Sequence, residues 1–403
     1  MKKIVLISLN YYPEDTAIGL YSTAFSEELS KGNDVTVITG FPYYPQWKIQ
    51  KEYQNKSHFY QDQYKNINIL RYKQYVPREL SFLNRILLLI SFTFGSIINI
   101  FKIKKCDLVI VVVPFIGSII LGIILKYTKK AKLMIHIQDF EFDAALSSGL
   151  VGKYNFIEKI YLKVERFLFN RADLLSTISH TMLAKLKLKT DKKTFLFPNF
   201  IIKNDDTKKT NISIDKTKFN ILYSGNIGNK QDWDIYINLV KYFQDKTNIN
   251  FILVGDGTMK EFVLHAVSEY SNIKYYPPIS LNELDDLLSS ASLHILFQKA
   301  TTSDSVMPSK LISMMNSGIP SLISGSKISE VKDIIEQSEG GIYVSENVFE
   351  NTINSIKYYI ELPKDEYQKI GENAKKYITK YYSKENIFKS VEENIHTIFK
   401  SNK

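Results

Sequence analysis

The sequence predicts an α/β protein of two doubly wound, Rossmann-like domains in series, their parallel sheets facing a shared cleft. Three observations predict it. The 403 residues exceed one ordinary core and fit two domains of about 200 residues each. Short β-branched runs alternate with helical patterns in both halves. The alternation is interrupted at Pro198-Asn199-Phe200 and the polar run 203–209, then starts again.

In the first half, residues 4–9 read as a buried strand and 19–30 as a helix. A second strand at 35–39 is introduced by the turn Gly32-Asn33-Asp34, and 67–72 form a third. An apolar helix follows, then strands at 108–113 and 133–137. Residues 156–170 are apolar at helical spacing, 174–178 read as a strand, 185–193 as a basic loop, and 195–197 end the unit. In the second half 219–223 form a strand, 233–242 a helix, and 249–254 a strand ending in Gly255-Asp256-Gly257. Strands at 273–276, 293–297 and 320–323 follow, separated by helical pattern. The last 40 residues read as charged amphipathic helix. The expected domains are 1–200 and 201–382, with the helix from about residue 383 packing back on the first.

Hydrophobic residues at 44% and charged residues at 23% are globular usage. The lone Cys106 excludes an internal disulfide framework and suggests a reducing compartment. The net charge of +10 is unevenly placed. Residues 1–200 carry 28 Lys/Arg against 16 Asp/Glu, and residues 201–403 carry 24 against 26. The first half should therefore face something anionic. Nucleic acid is not expected, because no zinc-finger spacing, aromatic RNA-binding signature or basic groove helix occurs.

An anionic membrane surface fits better. Residues 71–105 contain Arg71, Lys73, Arg78, Arg85, Lys102, Lys104 and Lys105 with Glu79 as the one acid, and sixteen mostly apolar residues lie at 86–101. That is short of the roughly 20 residues a bilayer span needs, and basic flanks suit an interfacial helix. A core helix of an α/β domain accounts for the same segment. The second apolar stretch, 108–125, is divided by Pro114 and Gly117 and reads as a buried strand followed by a helix. The N-terminal apolar run is too short for a signal peptide. A cytoplasmic protein, peripheral on the inner face of the plasma membrane, is expected.

Candidate site residues fall at the carboxyl ends of strands, where open α/β sheets bind ligands. Ser224-Gly225-Asn226-Ile227-Gly228-Asn229-Lys230 joins a strand to a helix. Gly225 there admits close approach of a ligand and Lys230 can neutralise phosphate, although a plain turn with a solvated lysine explains them too. The glycine spacing and the lack of a following Ser or Thr exclude a Walker loop. Gly255-Asp256-Gly257 lacks the third glycine of a dinucleotide fingerprint, which argues against a nicotinamide dehydrogenase. The loop after 293–297 contains Lys299, Asp304 and Pro308-Ser309-Lys310, which opens a helix at 311–316 closed by Gly318. Free amides at that helix start, with Lys299 and Lys310, would complement a diphosphate, and a capped helix with an exposed lysine is the alternative. In the first half, His136, Asp139, Glu141 and Asp143 follow a buried strand, with His136 and Gln138 on one side by period two. Their spacing fits no common metal-ligand pattern. Asp232-Trp233-Asp234 spells a DxD but starts a helix and reads as its N-terminal cap. No metal and no cofactor are expected.

Taken together the sequence resembles the family 4 retaining glycosyltransferases of GT-B fold. It is closest to the bacterial enzymes of colanic-acid, O-antigen and capsule assembly, of the L-fucosamine transferase type. The resemblance covers almost the whole chain. It is carried by Asn10-Tyr11-Tyr12-Pro13-Glu14 with Gly19, Pro42-Tyr43-Tyr44-Pro45-Gln46-Trp47, Tyr75-Val76-Pro77 and His136-Ile137-Gln138-Asp139. Further on it is carried by Phe197-Pro198-Asn199, Tyr223-Ser224-Gly225-Asn226-Ile227-Gly228 and the stretch from Val306 to Lys310. The resemblance implies an acceptor-binding first domain and a nucleotide-sugar-binding second one. The Gly19 loop would approach the donor phosphates, and Lys230 with Ser309-Lys310 would hold the diphosphate. It further implies reaction with retention, no divalent metal, a UDP-sugar donor and a polyprenyl-diphosphate-linked acceptor, with N-acetyl-L-fucosamine suggested as the sugar. This chain departs from the family at Ser305 and Ser313, where many members carry glutamates, so Asp304 becomes the nearest acid. It departs again at Asn226, where an arginine is common, and at Gln138, where a histidine is. His136, Asp139, Lys230 and Lys310 are thus the catalytic candidates, with Gly19, Gly225, Asn226, Gly255, Lys299, Asp304 and Ser309 as donor contacts. A UDP-sugar epimerase of the same fold and a non-catalytic sugar- or lipid-binding scaffold are the rival readings.

Overall fold

The computed structural model describes residues 1–15, 17–78, 81–114, 116–140, 155–202, 206–300 and 309–400. The chain divides into two compact units, Met1–Asn199 with Phe388–Lys403, and Phe200–Ile387.

In the first unit the order is β1 (Lys3–Ile7), α1 (Ala17–Ser30), β2 (Asp34–Gly40), α2 (Lys51–Gln54), β3 (Phe59–Tyr64), β4 (Ile67–Tyr72) and α3 (Phe82–Phe101). Then come β5 (Leu108–Val113), α4 (Gly117–Lys129), β6 (Lys132–Ile137), α5 (Asn155–Phe169), β7 (Leu174–Thr177), α6 (His180–Lys189) and β8 (Thr194–Leu196). The eight-stranded sheet runs β3-β4-β2-β1-β5-β6-β7-β8, parallel except for the antiparallel edge strand β3. β5, Leu-Val-Ile-Val-Val-Val, is buried along its whole length, as a central parallel strand covered on both faces must be. The apolar stretch 108–125 is thus a strand and the start of a helix, as its Pro114-Gly117 division indicates.

The second unit contains β9 (Phe219–Ser224), α7 (Trp233–Tyr242), β10 (Ile249–Val254), α8 (Lys260–Ala266), β11 (Ile273–Tyr276), α9 (Leu281–Ser289) and β12 (Leu293–Phe297). It continues with α10 (Ser309–Asn316), β13 (Ser321–Ser324), α11 (Glu330–Ser338), β14 (Gly341–Val344), α12 (Val348–Glu361) and α13 (Lys364–Tyr382). Its sheet is parallel, ordered β11-β10-β9-β12-β13-β14. The final helix, α14 (Lys384–Lys400), places Phe388 against Phe25 and Phe197 of the first unit at 5.7 and 5.9 Å. The α/β class with two parallel, Rossmann-like sheets is therefore observed.

Two local readings need correction, and β3 adds a strand that the sequence pattern does not suggest. Residues 185–193 are not a loop throughout, because α6 runs to Lys189. Only Met182 and Leu186 of α6 are buried, too few to leave a periodic signal, and its start is set by the Ser179 hydroxyl accepting from the Met182 amide. β3, Phe-Tyr-Gln-Asp-Gln-Tyr, carries no fully buried residue, so its sequence shows no apolar face to read. The C-terminal amphipathic stretch is two helices, broken at Ser383 by its extended backbone.

Candidate active site

Each sheet reverses its direction of winding once, and ligands bind outside the carboxyl ends of the strands at that point. In the second unit the reversal lies between β9 and β12. There the chain places the loop after β9, the segment after β12 and the start of α10.

These segments are tied together through backbone. Gln231 and Gln298 form an antiparallel bridge, and the Lys299 amide donates to the Lys230 carbonyl at 3.1 Å. Both lysines are exposed, on adjoining segments. The loop after β9 is held to the loop after β10 by Gly225 N–H to Val254 O and Ile227 N–H to Asp256 O, each 2.8 Å. Such closeness requires glycine. A Cβ on Gly255, at φ +147°, would stand 1.9 Å from the Gly225 carbonyl oxygen. The indole of Trp233 donates to Gly228 O at 2.9 Å, and the Asp232 side chain caps α7 by accepting from the Ile235 amide. The DxD is thus a helix start. Among the described residues, no three His, Cys, Asp or Glu side chains gather as a metal site would require.

Lys310, in the first turn of α10, reaches back over Gly225. Its Nζ donates to the Tyr223 hydroxyl at 2.6 Å and to the Asn226 carbonyl at 3.3 Å, and lies 4.3 Å from the Tyr223 ring centre. The Tyr223 hydroxyl donates in turn to Asn226 O at 2.6 Å. A Cβ on Gly225, at φ +124°, would meet Lys310 Cε at 2.4 Å. Gly225 therefore makes room for a lysine from within the protein, where the sequence suggested room for a ligand. Burial pushes the Lys310 ammonium down to about 7, and no carboxylate among the described residues contributes. A lysine with no acid partner among the described residues, in the first turn of a helix beside a switch point, is an arrangement that suits an anion. Asn226 is exposed at the loop tip. Asp304 and Pro308 lie outside the described residues, and of Ser309 the structure gives the backbone, the first residue of α10.

In the first unit the reversal lies between β1 and β5. The loop after β1 is fixed by Glu14, to which sequence reasoning gave no role. Its carboxylate accepts from the Tyr43 and Tyr44 amides at 2.7 and 2.8 Å and from Asn10 Nδ2 at 2.8 Å, and burial raises its pKa. The signal available was an acid set among Asn, Tyr and Pro, which needs amide partners to be buried. A Cβ on Gly19 would meet Glu14 Cβ and O at 2.9 Å, so Gly19 lets α1 close on that loop. The fully buried Arg71 pairs with Asp62 at 2.9 Å and donates to the carbonyls of Gly40 and Tyr12.

His136 and Gln138 share one side, as period two requires. Gln138 Nε2 lies 2.8 Å from His136 Nε2 and donates to Asn199 Oδ1 at 3.3 Å, so the amide nitrogen faces a lone pair of the ring. His136 Nδ1 then carries the proton and donates to Ser176 Oγ at 2.9 Å. Burial pushes His136 down to about 3, so it is neutral at physiological pH. Asp139 follows, half-buried. Glu141 and Asp143 lie outside the described residues.

The family model of glycosyl transferases group 1 matches residues 204–377. Over 406 aligned residues the chain is 30% identical to WcaI of Escherichia coli (strain K12), a glycosyl transferase assigned to colanic acid biosynthesis, covering 96% of this chain and 98% of that protein. Among solved structures, sucrose-phosphate synthase from Thermosynechococcus elongatus superposes with a TM-score of 0.73 at 15% identity over 100% of both chains. HepE of Anabaena, in complex with UDP and glucose, gives 0.66 at 12% identity over 98% of this chain and 100% of that one. These two likenesses establish the fold. The full-length relationship, with the family model seated on the second unit, makes this chain a member of the group 1 glycosyltransferases, family 4, of GT-B fold.

Proposed function

We propose that the protein transfers a hexose-type sugar, with retention at the anomeric carbon, from a UDP-sugar to a saccharide carried on polyprenyl diphosphate during assembly of a surface polysaccharide. The observation that carries this reading is Lys310, a lysine with no acid partner among the described residues, at the switch point of the second unit. The kinship with WcaI supports a polysaccharide product, and the UDP and glucose of the HepE complex support the donor class.

The acceptor hydroxyl attacks the anomeric carbon on the face from which the diphosphate leaves. The C–O bond to phosphate breaks with its electron pair on oxygen, and that oxygen takes the hydroxyl proton. Lys310 and the amides opening α10 stabilise the charge growing on the diphosphate, with Lys230 and Lys299 beside them. Gly225, Gly255 and Asn226 shape the loop against which Lys310 rests, and Asp304 and Ser309 lie on the same connection. In the first unit the neutral His136 anchors Gln138, and Asp139 follows Gln138 directly in the chain. No divalent metal enters these steps.

A panel of UDP- and GDP-sugars, with N-acetyl-L-fucosamine donors included, tests the donor by thermal shift. A matched UDP-sugar at a hundred times its Kd should add about 2.7 kcal/mol of stability. Adding a lipid-linked saccharide should release UDP, and EDTA should leave the rate unchanged. Turnover of donor without acceptor would instead indicate an epimerase, absence of nucleotide binding a scaffold, and loss of activity in EDTA a metal-dependent transfer.

The lowered Lys310 pKa gives a second test. Above pH 7 the free amine is largely neutral, and binding a diphosphate draws it back to the charged form. Donor binding at pH 8 should therefore take up about 0.9 proton, seen as a dependence of the calorimetric heat on buffer ionisation, and should take up almost none at pH 5.5. Equal heats at pH 8 across buffers would remove Lys310 from the diphosphate site.

A further inference from the structure

We infer that the outer side of the helix layer α3–α4–α5 is a docking face for an anionic lipid bilayer, lying on the membrane rather than crossing it. Among the described residues, α3 is the one helix long and apolar enough to span a bilayer. It does not sit as a span would. One side enters the core of the first unit through Leu88, Leu89, Phe92 and Ile100. The same inward side carries Thr93, Ser96 and Asn99, whose buried polar atoms have no protein hydrogen-bond partner among the described residues.

The outward side is the more apolar one. Leu83, Leu87, Ile90, Phe94, Ile98 and Phe101 recur at helical spacing, and each is between 40% and 74% exposed. A core helix of a soluble domain has the reverse pattern, polar outside and apolar inside. Right-handed crossovers place α3, α4 and α5 on one face of the sheet, since β4, β5, β6 and β7 advance in a single direction. The neighbouring helices extend the apolar surface with Ile120 and Tyr127 of α4 and Ile160, Val164 and Phe167 of α5, all exposed. Arg171 joins the last two helices, its guanidinium over the Phe167 ring and an N–H directed to the Tyr127 hydroxyl.

Charge decides what covers this face. Residues 80–138, which contain α3 and α4, carry eight Lys or Arg against the one acid Asp107, and α5 carries Lys159, Lys163 and Arg166 against Glu158 and Glu165. Arg78 and Arg85 stand exposed at one end of α3, and Lys102, Lys104 and Lys105 at the other. A second copy would bring like charge against like, whereas anionic headgroups meet the lysines while the acyl boundary receives the stripe. The face needs no sugar chemistry, so it stands or falls apart from the transferase reading.

The test uses the full chain and vesicles of phosphatidylcholine, with and without an equal part of phosphatidylglycerol. Wild type should sediment with the anionic vesicles and much less with the neutral ones. The triple variant Leu87→Glu, Phe94→Glu, Ile98→Glu changes exposed positions, so its thermal midpoint should hold while vesicle partition falls about tenfold or more. Lys102→Gln with Lys104→Gln and Lys105→Gln should weaken binding to the anionic vesicles alone, as added salt should. The inference is overturned if wild type ignores both vesicles, or if neither variant differs from it. It is equally overturned if wild type is a dimer in solution that the glutamate variant dissociates without any vesicle binding.

Discussion

Lys310→Met should lose about a hundredfold to a thousandfold in kcat/KM while gaining thermal stability. The loss follows from removing a preorganised cation aimed at developing charge, which in comparable sites costs about 10²–10³ in rate. The gain follows from the same geometry. The folded protein strips water from this ammonium, with no carboxylate among the described residues beside it, and that desolvation lowers its pKa from 10.5 to about 7. Between those values the unfolded chain binds more protons than the folded one, so wild-type stability rises with pH across that window. Below pH 7 the lysine is charged in both states and the folded state bears the whole desolvation cost. The advantage of the methionine variant should therefore be largest near pH 6 and shrink toward pH 10, as melting curves at three or four pH values would show. Tyr223→Phe separates placement from charge: it keeps the ring beneath the ammonium but removes the 2.6 Å acceptor, and should cost roughly tenfold. If Lys310→Met turned over normally, the diphosphate would have to be held elsewhere.

The sequence shows the fold more clearly than the site, and the reason is what each depends on. A central parallel strand such as β5 must be apolar on both faces, so its residues announce it. An edge strand such as β3 has no such demand and gives no signal. Phosphate-binding lysines can be proposed from their place after a strand, and Lys230, Lys299 and Lys310 do lie at the carboxyl edge of one sheet. What their neighbours do cannot be read the same way. Tyr223 and Gly225, two apart on one side of a strand end, mark where something packs, but Lys310 is 85 residues beyond Gly225 in the chain. Arg71 looks like one more member of a basic cluster until the structure buries it completely beside Asp62. Each of these roles depends on tertiary approach, which a local pattern does not encode.

That dependence makes Gly255→Ala the most damaging single-methyl change at the donor side. The new Cβ would lie 1.9 Å from the Gly225 carbonyl oxygen, and neither partner is free to move. Gly225 is fixed by the hydrogen bond its N–H donates to Val254 O, and Gly255 by its own N–H donating to Tyr276 O at 3.1 Å and by the Tyr275 hydroxyl donating to its carbonyl at 3.1 Å. Backbone at φ +147° adds strain to the clash, and together they should cost about 3–5 kcal/mol. In a unit of this size that lowers the melting temperature by about 10 °C. Gly32→Ala is the control, because nothing lies within 4 Å of its added methyl, and it should stay within about 0.5 kcal/mol of wild type. The variant also reports on function. Where the β9 and β10 loops are pushed apart, Gly225 no longer seats Lys310, so UDP-induced stabilisation should fail at temperatures well below the new melting point. Retained UDP stabilisation in a destabilised Gly255→Ala protein would mean that the two loops pack together for the fold alone, and that Lys310 finds its position without them.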